Sequence, residues 1–219
     1  MTSPHPSCKI RDWWRVTGTS ESIGVILILI VACVGGRLLL DQPNFKPSMA
    51  AAILAGAILG NWRLAILVPL VSGLATDLIL GTYELALMAA VYVCLALPVF
   101  WYRWVRSFTE RYSRVRSNST VAKFVAVGCE LVALNIGAVL SAIVFYLVTS
   151  LVVWCATPWY PTGIEGLSQA YWNAIPFMRW MIQGNLLFLN VLALTWLGYR
   201  AVSEWAWSVD NDAQPVLPQ

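Results

Sequence analysis

The chain contains apolar runs that are about as long as a bilayer is thick. A transmembrane helix needs ~20 predominantly apolar residues. Hydrophobic residues make up 59% of the sequence and charged residues 11%, whereas about a quarter of an average soluble domain is charged. The sequence therefore predicts an all-α, polytopic membrane protein. The predicted helices occupy residues 23–40, 48–60, 64–81, 85–102, 131–154 and 180–199.

These helices predict a membrane domain at residues 22–200, flanked by tails at 1–21 and 201–219. Residues 155–179 are rich in Trp, Tyr, Pro and Gly and are predicted to form an outer loop. The second run, 48–60, is the shortest, and a run of this length can also enter and leave a membrane on the same side.

The basic residues orient the predicted helices through the positive-inside rule. If the N-terminus is cytoplasmic and all six helices cross, 11 of the 14 Lys and Arg residues lie on the cytoplasmic side. Only Arg37, Lys46 and Arg179 then lie near the outer face. We therefore predict six spans with both termini cytoplasmic. The cytoplasmic residues would be Lys9, Arg11, Arg15, Arg63, Arg103, Arg106, Arg111, Arg114, Arg116, Lys123 and Arg200.

Arg37 and Asp77 are charged residues inside two of the apolar runs. At ~1.5 Å per residue both fall in the outer third of the membrane. A charge inside such a run costs roughly 2.5–3.5 kcal/mol on insertion scales and points to a function or to a paired structural role. Three interpretations stay open. The two residues could contact a ligand, could form an ion pair that fixes helix one against helix three, or Arg37 could extend its side chain to the outer lipid headgroups.

Other polar and aromatic residues are expected at the same outer level. Gln183 and Asn185 open the sixth predicted helix, and aromatic residues crowd the outer loop. That loop could be a lid over a pocket or a belt lying on lipid. If it covers a pocket, Asp77 would be the polar anchor and Arg37 its charge partner. The remaining predicted binding residues are the neutral groups Asn185 and Gln183 and the aromatic groups Trp154, Tyr160, Tyr171 and Trp172.

Small residues recur every four positions in the second helix, at Ala52, Gly56 and Gly60. This spacing lets two helix backbones approach closely. The sequence therefore predicts a helix-packing face, either inside the bundle or against a partner subunit.

The sequence lacks the residues that several classes of function require. The only His is His5, so no His-based metal site or catalytic triad is predicted. The sequence has no phosphate-binding Walker loop, so ATP-driven work would require a separate ATPase. Net charge is only +3, which gives no argument for nucleic-acid binding. We predict no enzyme activity and no cofactor.

Three motifs carry a resemblance to a known family: Pro43-Asn44-Phe45-Lys46-Pro47, Thr76-Asp77 through Tyr83, and Tyr171-Trp172 through Phe177. They resemble a bacterial membrane family of unknown function whose members are labelled as transport proteins. The resemblance covers roughly Arg37 to Trp196 and implies the bacterial cytoplasmic membrane. This sequence departs from the family pattern at Ser150, where Asn is usual, and at Asn185, where Asp is usual.

The six-span layout is also similar to the substrate-binding S components of energy-coupling-factor vitamin transporters. That similarity implies an outward-facing pocket for a small solute, with a transmembrane coupling subunit and ATPases as partners. We expect the pocket between helices one, three and six. The alternative is a structural membrane scaffold without transport activity, in which Arg37 and Asp77 would only brace the bundle.

Overall fold

The computed structural model describes residues 14–16, 18–101 and 120–212. Within these residues every regular element is a helix, so the all-α prediction is confirmed there. After α5 a further helical turn runs to residue 101. The helices are α1 (Thr19–Leu39), α2 (Ser48–Leu59), α3 (Trp62–Ala65), α4 (Leu67–Leu80), α5 (Leu85–Ala96), α6 (Thr120–Ala156) and α7 (Ile164–Asp212).

The lengths and composition of these helices indicate a membrane protein. Two apolar stretches, Ser48–Leu59 and Leu85–Trp101, are shorter than a bilayer requires. Large apolar side chains such as Ile28 and Val31 are more than half exposed, which suits contact with lipid. In the described part of the chain, four stretches are long and apolar enough to cross a membrane: Thr19–Leu39, Trp62–Leu80, Val127–Ala156 and Ile164–Ser203.

The helix α2 lies at the centre of the bundle. It contacts each of α1, α3, α4, α5, α6 and α7, and nearly all of its side chains are buried. A helix that is apolar on all sides is expected in an interior. Because other helices surround it, its length of about 18 Å need not match the thickness of the bilayer.

The small residues of α2 have separate roles. Ala52 is fully buried. A Cβ on Gly56 would lie 2.4 Å from the carbonyl oxygen of Val99, so glycine is required where that backbone crosses α2. Gly60 instead ends the helix in the left-handed conformation, with φ at 65°, which glycine adopts at no steric cost. The prediction of one packing face therefore misassigned Gly60, because this residue caps the helix.

The segment at residues 14–16 closes the carboxyl end of α2. The Val16 amide donates to the Ile58 carbonyl oxygen at 3.2 Å, which satisfies one of the orphan carbonyls at a helix end. Trp14 is buried in the same core cluster as α2. This end of the bundle also holds the Arg200–Glu21 ion pair, at 3.8 Å. Lys9, Arg11 and the basic residues at 103–116 lie outside the described residues, as does the side chain of Lys123.

Two predicted helices are interrupted next to proline. The third predicted helix divides at Ile66 into α3 and α4, and α5 ends before Leu97. The ring of Pro69 would clash with the carbonyl group four residues earlier, at Ala65, where α3 ends. Leu97 keeps helical φ and ψ, but the following Pro98 has no backbone N–H to donate, so the helical hydrogen-bond pattern is interrupted there.

The largest departure from the prediction concerns residues 155–179. The connection between α6 and α7 is confined to residues 157–163, and α7 then continues without a break through Pro176 to Asp212. The predicted outer loop, the start of helix six at Trp180 and the tail from residue 201 were therefore wrong. The helix α6 begins at Thr120 and contains the predicted span at 131–154, together with the preceding apolar residues.

A helical pattern explains this correction. Leu167, Ala170, Ala174, Met178 and Met181 recur every three or four residues and all turn at least partly inward, which is the spacing of an amphipathic helix. Turn-forming and polar residues between them masked the pattern. Proline is tolerated inside membrane helices because neighbouring groups satisfy the freed backbone carbonyl.

Candidate functional site

A polar cluster joins α1, α4 and α5. Arg37 Nη2 donates to Asp77 Oδ1 at 2.5 Å and Arg37 Nη1 to Thr76 Oγ1 at 2.7 Å. The hydroxyl of Tyr92 donates to the other carboxylate oxygen, Asp77 Oδ2, at 2.9 Å. Gly73 makes room for this tyrosine, because a Cβ there would lie 3.3 Å from its ring. Both oxygens of Asp77 are therefore bound within the protein.

The cluster is almost fully withdrawn from solvent. Asp77 is 2% exposed and the side chain of Arg37 is 23% exposed. Thr76 is fully buried and also donates to the Ser72 or Gly73 carbonyl oxygen. A buried ion pair of this kind avoids the cost of an uncompensated charge. Its geometry fits the bracing interpretation of Arg37 and Asp77.

Two connecting-segment residues border this cluster. Burial raises the pKa of the Tyr83 phenol, and the nearby Asp77 carboxylate raises it further. Burial lowers the pKa of Lys46, whose Nζ donates to the Leu40 carbonyl oxygen. Tyr83 thus stays protonated, and uncharged, to higher pH than an ordinary tyrosine.

A cavity of about 360 Å³, partly open to the surface, lies beside the cluster. It is bounded by α5, α6, α7 and the three segments that connect helices at this end. Asn44 comes from residues 40–47, Tyr83 from residues 81–84, and Trp159 and Tyr160 from residues 157–163. Its volume falls within the range of small-molecule sites, ~300–1,000 Å³.

The cavity stands over the amino-terminal end of α2. Its inner lining includes Val91, Phe145 and Met181. These residues belong to a core cluster that also contains Met49, in the first turn of α2. The floor of the cavity is therefore part of the packed core.

Residues 40–47 form one wall of the cavity through tight packing on α7. The ring of Phe45 packs against Trp180 and Phe188, with centroids 6.2 and 5.3 Å apart. A Cβ on Gly184 would lie 3.1 Å from Phe45, so glycine allows this approach. The neighbouring Asn44 adopts φ of 61°, a left-handed conformation in which Asn is several-fold enriched.

Residues 157–163 are shaped by contacts with the adjoining helix ends. Trp154 Nε1 donates to the Pro161 carbonyl oxygen at 3.1 Å. A Cβ on Gly166 would lie 1.8 Å from the same oxygen, so this chain reversal requires glycine there. These contacts bring Trp159 and Tyr160 to the cavity, and Trp159, at 68% exposed, stands at its mouth.

Two tyrosines fasten α6 to α7 beside the cavity. The Tyr146 hydroxyl donates to the Tyr171 carbonyl oxygen and the Tyr171 hydroxyl to the Leu147 carbonyl oxygen, each at 2.9 Å. Their rings meet edge to face at 5.6 Å. Further along the same helices, the Asn135 and Asn190 amides bond reciprocally at 2.8 and 3.2 Å.

Ser150 lines the cavity and has no hydrogen-bond partner for its hydroxyl, although the residue is 5% exposed. The other buried Ser and Thr side chains in the described residues, Ser72, Thr76 and Ser141, donate to backbone carbonyl oxygens. Thr149, also in the lining, donates to the Phe145 carbonyl oxygen at 2.7 Å. A buried hydroxyl without a partner costs about 1–3 kcal/mol. Ser150 is therefore an exception that calls for a ligand or water.

Among the described residues that line the cavity, none is charged. The described residues also contain no group of three or more His, Cys, Asp or Glu side chains that could hold a metal ion. The chemistry available to a ligand in the cavity is aromatic contact together with hydrogen bonds to hydroxyl and amide groups.

The predicted binding residues do not form one site. Tyr160 alone among them lines the cavity, and Arg37 and Asp77 lie behind Tyr83. Asn185 is buried elsewhere, 3.4 Å from both Met49 Sδ and the Ala138 carbonyl oxygen. The pocket was expected between the first, third and sixth predicted helices, whereas the cavity lies between α5, α6 and α7. Of the rest, Trp154 and Tyr171 hold the backbone around the cavity, and Gln183 and Trp172 face outward.

The residues that sequence reasoning missed are Asn44, Tyr83, Ser150 and Asn173. Asn44, Tyr83 and Asn173 belong to motifs of the family resemblance, and Ser150 was singled out only as a departure from the pattern. The amphipathic spacing of α7 would have found Asn173, since it places this residue beside Ala170 and Ala174 on one helix. No sequence signal separates the unpartnered hydroxyl of Ser150 from the bonded hydroxyl of Thr149.

One family model matches the chain over residues 18–205, and its description is "Family of unknown function (DUF6580)". The match covers more than four-fifths of the sequence. No curated protein and no solved structure shows significant similarity to the chain.

Proposed function

The chain belongs to this family of unknown function, DUF6580, and from its geometry we propose that it binds a small solute as the substrate-binding subunit of a membrane transport system. The observation that carries the proposal is the cavity of about 360 Å³, with the unpartnered hydroxyl of Ser150 in its wall. Ligand sites typically combine apolar walls with a few convergent polar groups. This cavity has that composition.

The proposal includes an arrangement in the bacterial cytoplasmic membrane. In it all six apolar segments cross, with α3 and α4 forming one span and both termini in the cytoplasm. The segments at residues 40–47, 81–84 and 157–163 then share the outer side, because all three border the cavity. The solute would enter from outside the cell.

Transport would require partners. The sequence has no nucleotide-binding loop of the Walker type, so energy from ATP would come through a transmembrane coupling subunit and its ATPases. The longest helices in the described residues are α6 and α7, and α7 spans about 73 Å at 1.5 Å per residue.

Filling the cavity tests the proposal directly. Ala174 on α7 lines the cavity, and Ala174→Phe would place an aromatic ring inside it. Val191 lies on the same helix and is 52% exposed, so Val191→Phe is a matched control. Small molecules released by denaturing the purified proteins would be compared by mass spectrometry. We expect a compound from the unmodified protein and from V191F that is absent from A174F.

The opposite result would favour the structural scaffold. If the unmodified protein releases nothing that A174F lacks, and a panel of metabolites leaves its thermal unfolding unchanged, the cavity has no solute. The saturated Arg37–Asp77 cluster is what a purely structural bundle would also contain. Purification from native membranes would then be expected to retain cell-envelope proteins and no ATPase pair.

A further inference from the structure

We infer that the cavity takes an uncharged molecule with a flat aromatic or conjugated ring system and a polar substituent that hydrogen-bonds to Ser150. This inference rests on the proposed function and names the class of its ligand. It follows from three features of the lining: the lack of charge, the number of aromatic rings and the position of the one unpartnered hydroxyl.

The lack of charge weighs against an ionic ligand on energetic grounds. None of the described lining residues is Asp, Glu, Lys, Arg or His. The ion pair Arg37–Asp77 borders Tyr83 and is internally neutralised. Transfer of an ionised group into an apolar site without a counter-charge is far more costly than transfer of a neutral hydrogen-bonding group. A carboxylate, phosphate or ammonium group would find no counter-charge in the lining.

The aromatic rings favour a flat ligand. Rings approach the cavity from α6, α7 and two of the connecting segments, so a planar ligand would meet them on more than one side. Offset-stacked and edge-to-face ring pairs contribute about 0.5–1.5 kcal/mol beyond the burial of their area. The rings are those of Tyr83, Phe145, Tyr146, Trp159, Tyr160 and Phe177.

Ser150 supplies the polar contact. A helical serine commonly bonds the carbonyl oxygen four residues earlier, as Ser141 does with Gly137, but Ser150 does not. Its hydroxyl can both donate and accept, so it suits an amide, a carbonyl or a ring nitrogen. Across the lining, Asn173 Nδ2 and the Tyr160 hydroxyl are 3.5 Å apart. This distance exceeds that of a strong hydrogen bond, so a ligand could readily displace the contact.

Three probes of similar size, each with the same naphthalene ring, test the charge requirement. These are 2-naphthamide, 2-naphthoate and 2-naphthylmethylammonium, which carry charges of zero, minus one and plus one near neutral pH. Binding to the purified protein would be measured by calorimetry in one detergent, with A174F as the control for partition into micelles. We expect the amide to bind, the two ions to bind about tenfold more weakly or worse, and A174F to bind none of them.

Two serine substitutions on α6 test the role of Ser150. Ser150→Ala removes the unpartnered hydroxyl, and Ser141→Ala removes a buried hydroxyl outside the lining that is already bonded to the Gly137 carbonyl oxygen. We expect S150A to weaken binding of 2-naphthamide by about three- to tenfold, the value of one net hydrogen bond, and S141A to leave it within about twofold. Equal effects of the two substitutions would overturn the assignment of Ser150.

The remaining outcomes separate this inference from the proposed function. If either ion binds as tightly as the amide, or if no probe binds above the A174F background, the proposed ligand class is wrong. The solute-binding function would still stand if the unmodified protein releases a compound that A174F lacks. If that compound carries a carboxylate, phosphate or ammonium group, the function survives and the inference fails.

Discussion

The Arg37–Asp77 cluster and the cavity lie side by side but differ in whether their buried polar atoms have hydrogen-bond partners. In the cluster, both carboxylate oxygens of Asp77 accept hydrogen bonds from side chains of the same protein. In the cavity, a buried hydroxyl has no partner and no charged side chain is present among the described residues. Tyr83 borders both regions.

This difference shows that a charged residue in an apolar helix and a buried polar group without a partner are separate signals of a binding site. A charged residue in an apolar helix is conspicuous because burying it in the membrane is costly. If its hydrogen bonds are already made within the protein, however, it has no free group with which to bind a ligand. An unpartnered hydroxyl such as that of Ser150 is inconspicuous in a sequence, but in a structure it marks a position where a ligand or water can supply the missing hydrogen-bond partner. We accordingly propose that the cluster stabilises the fold and that the cavity binds the ligand.

The largest effect should come from removing the charge of Asp77. Asp77→Asn leaves the guanidinium of Arg37 largely buried without a counter-charge, and breaking a buried pair in this way costs about 3–5 kcal/mol. We expect a marked fall in unfolding temperature in detergent. The double variant R37Q/D77N should recover most of the loss, because neither charge remains.

Measuring the compound released from D77N, together with its unfolding temperature, distinguishes a bracing role of Asp77 from a ligand-binding one. If D77N unfolds like the unmodified protein but no longer yields the compound that the unmodified protein releases, Asp77 is a ligand anchor after all. In that case the division between a bracing cluster and a binding cavity is wrong.

Two tyrosine-to-phenylalanine substitutions compare the regions more finely. Tyr92 donates to a carboxylate and Tyr146 to a backbone carbonyl oxygen, both at 2.9 Å. Hydrogen bonds to charged groups contribute about 1.5–3 kcal/mol and neutral ones about 0.5–1.5 kcal/mol. We therefore expect Tyr92→Phe to lower the free energy of unfolding more than Tyr146→Phe. Equal losses would mean that the hydrogen bond from Tyr92 to Asp77 contributes no more than a neutral one.

The sequence predicts the helices where an apolar run has clear limits. The start of α2 at Ser48 and the end of α4 beside Gly81 follow from local chemistry, because proline precedes the first and a glycine with φ of 96° follows the second. The start of α7 was missed because Gly166 and Pro176 are turn formers in most contexts. Here Gly166 is required by its contact with Pro161, which only the folded chain reveals.

The candidate site was harder to predict because the depth of a residue in the membrane does not determine the direction in which its side chain points. Counting residues places Arg37, Asp77 and Asn185 at a similar level in the membrane, but it cannot say which neighbours their side chains face. Asn185 turns toward Met49 and Ala138, and Asp77 toward Arg37 and Tyr92. The cavity forms among other helices, and Asn44, Tyr83 and Tyr160 reach it from connecting segments, where no apolar period constrains the side chains.

The smallest effect is also the most specific, because its sign differs between two serines of α6. Ser141 and Ser150 are both buried, but only Ser141 donates to a carbonyl oxygen. Removing a satisfied hydroxyl should cost about 0.5–1.5 kcal/mol, whereas removing an unsatisfied one should be neutral or stabilising. In ligand-free protein we therefore expect Ser141→Ala to lower the unfolding temperature and Ser150→Ala to leave it unchanged or raise it. A gain of stability with a loss of binding would identify Ser150 as a group kept for its ligand, and an equal loss in both variants would mean that its hydroxyl is bonded within the fold.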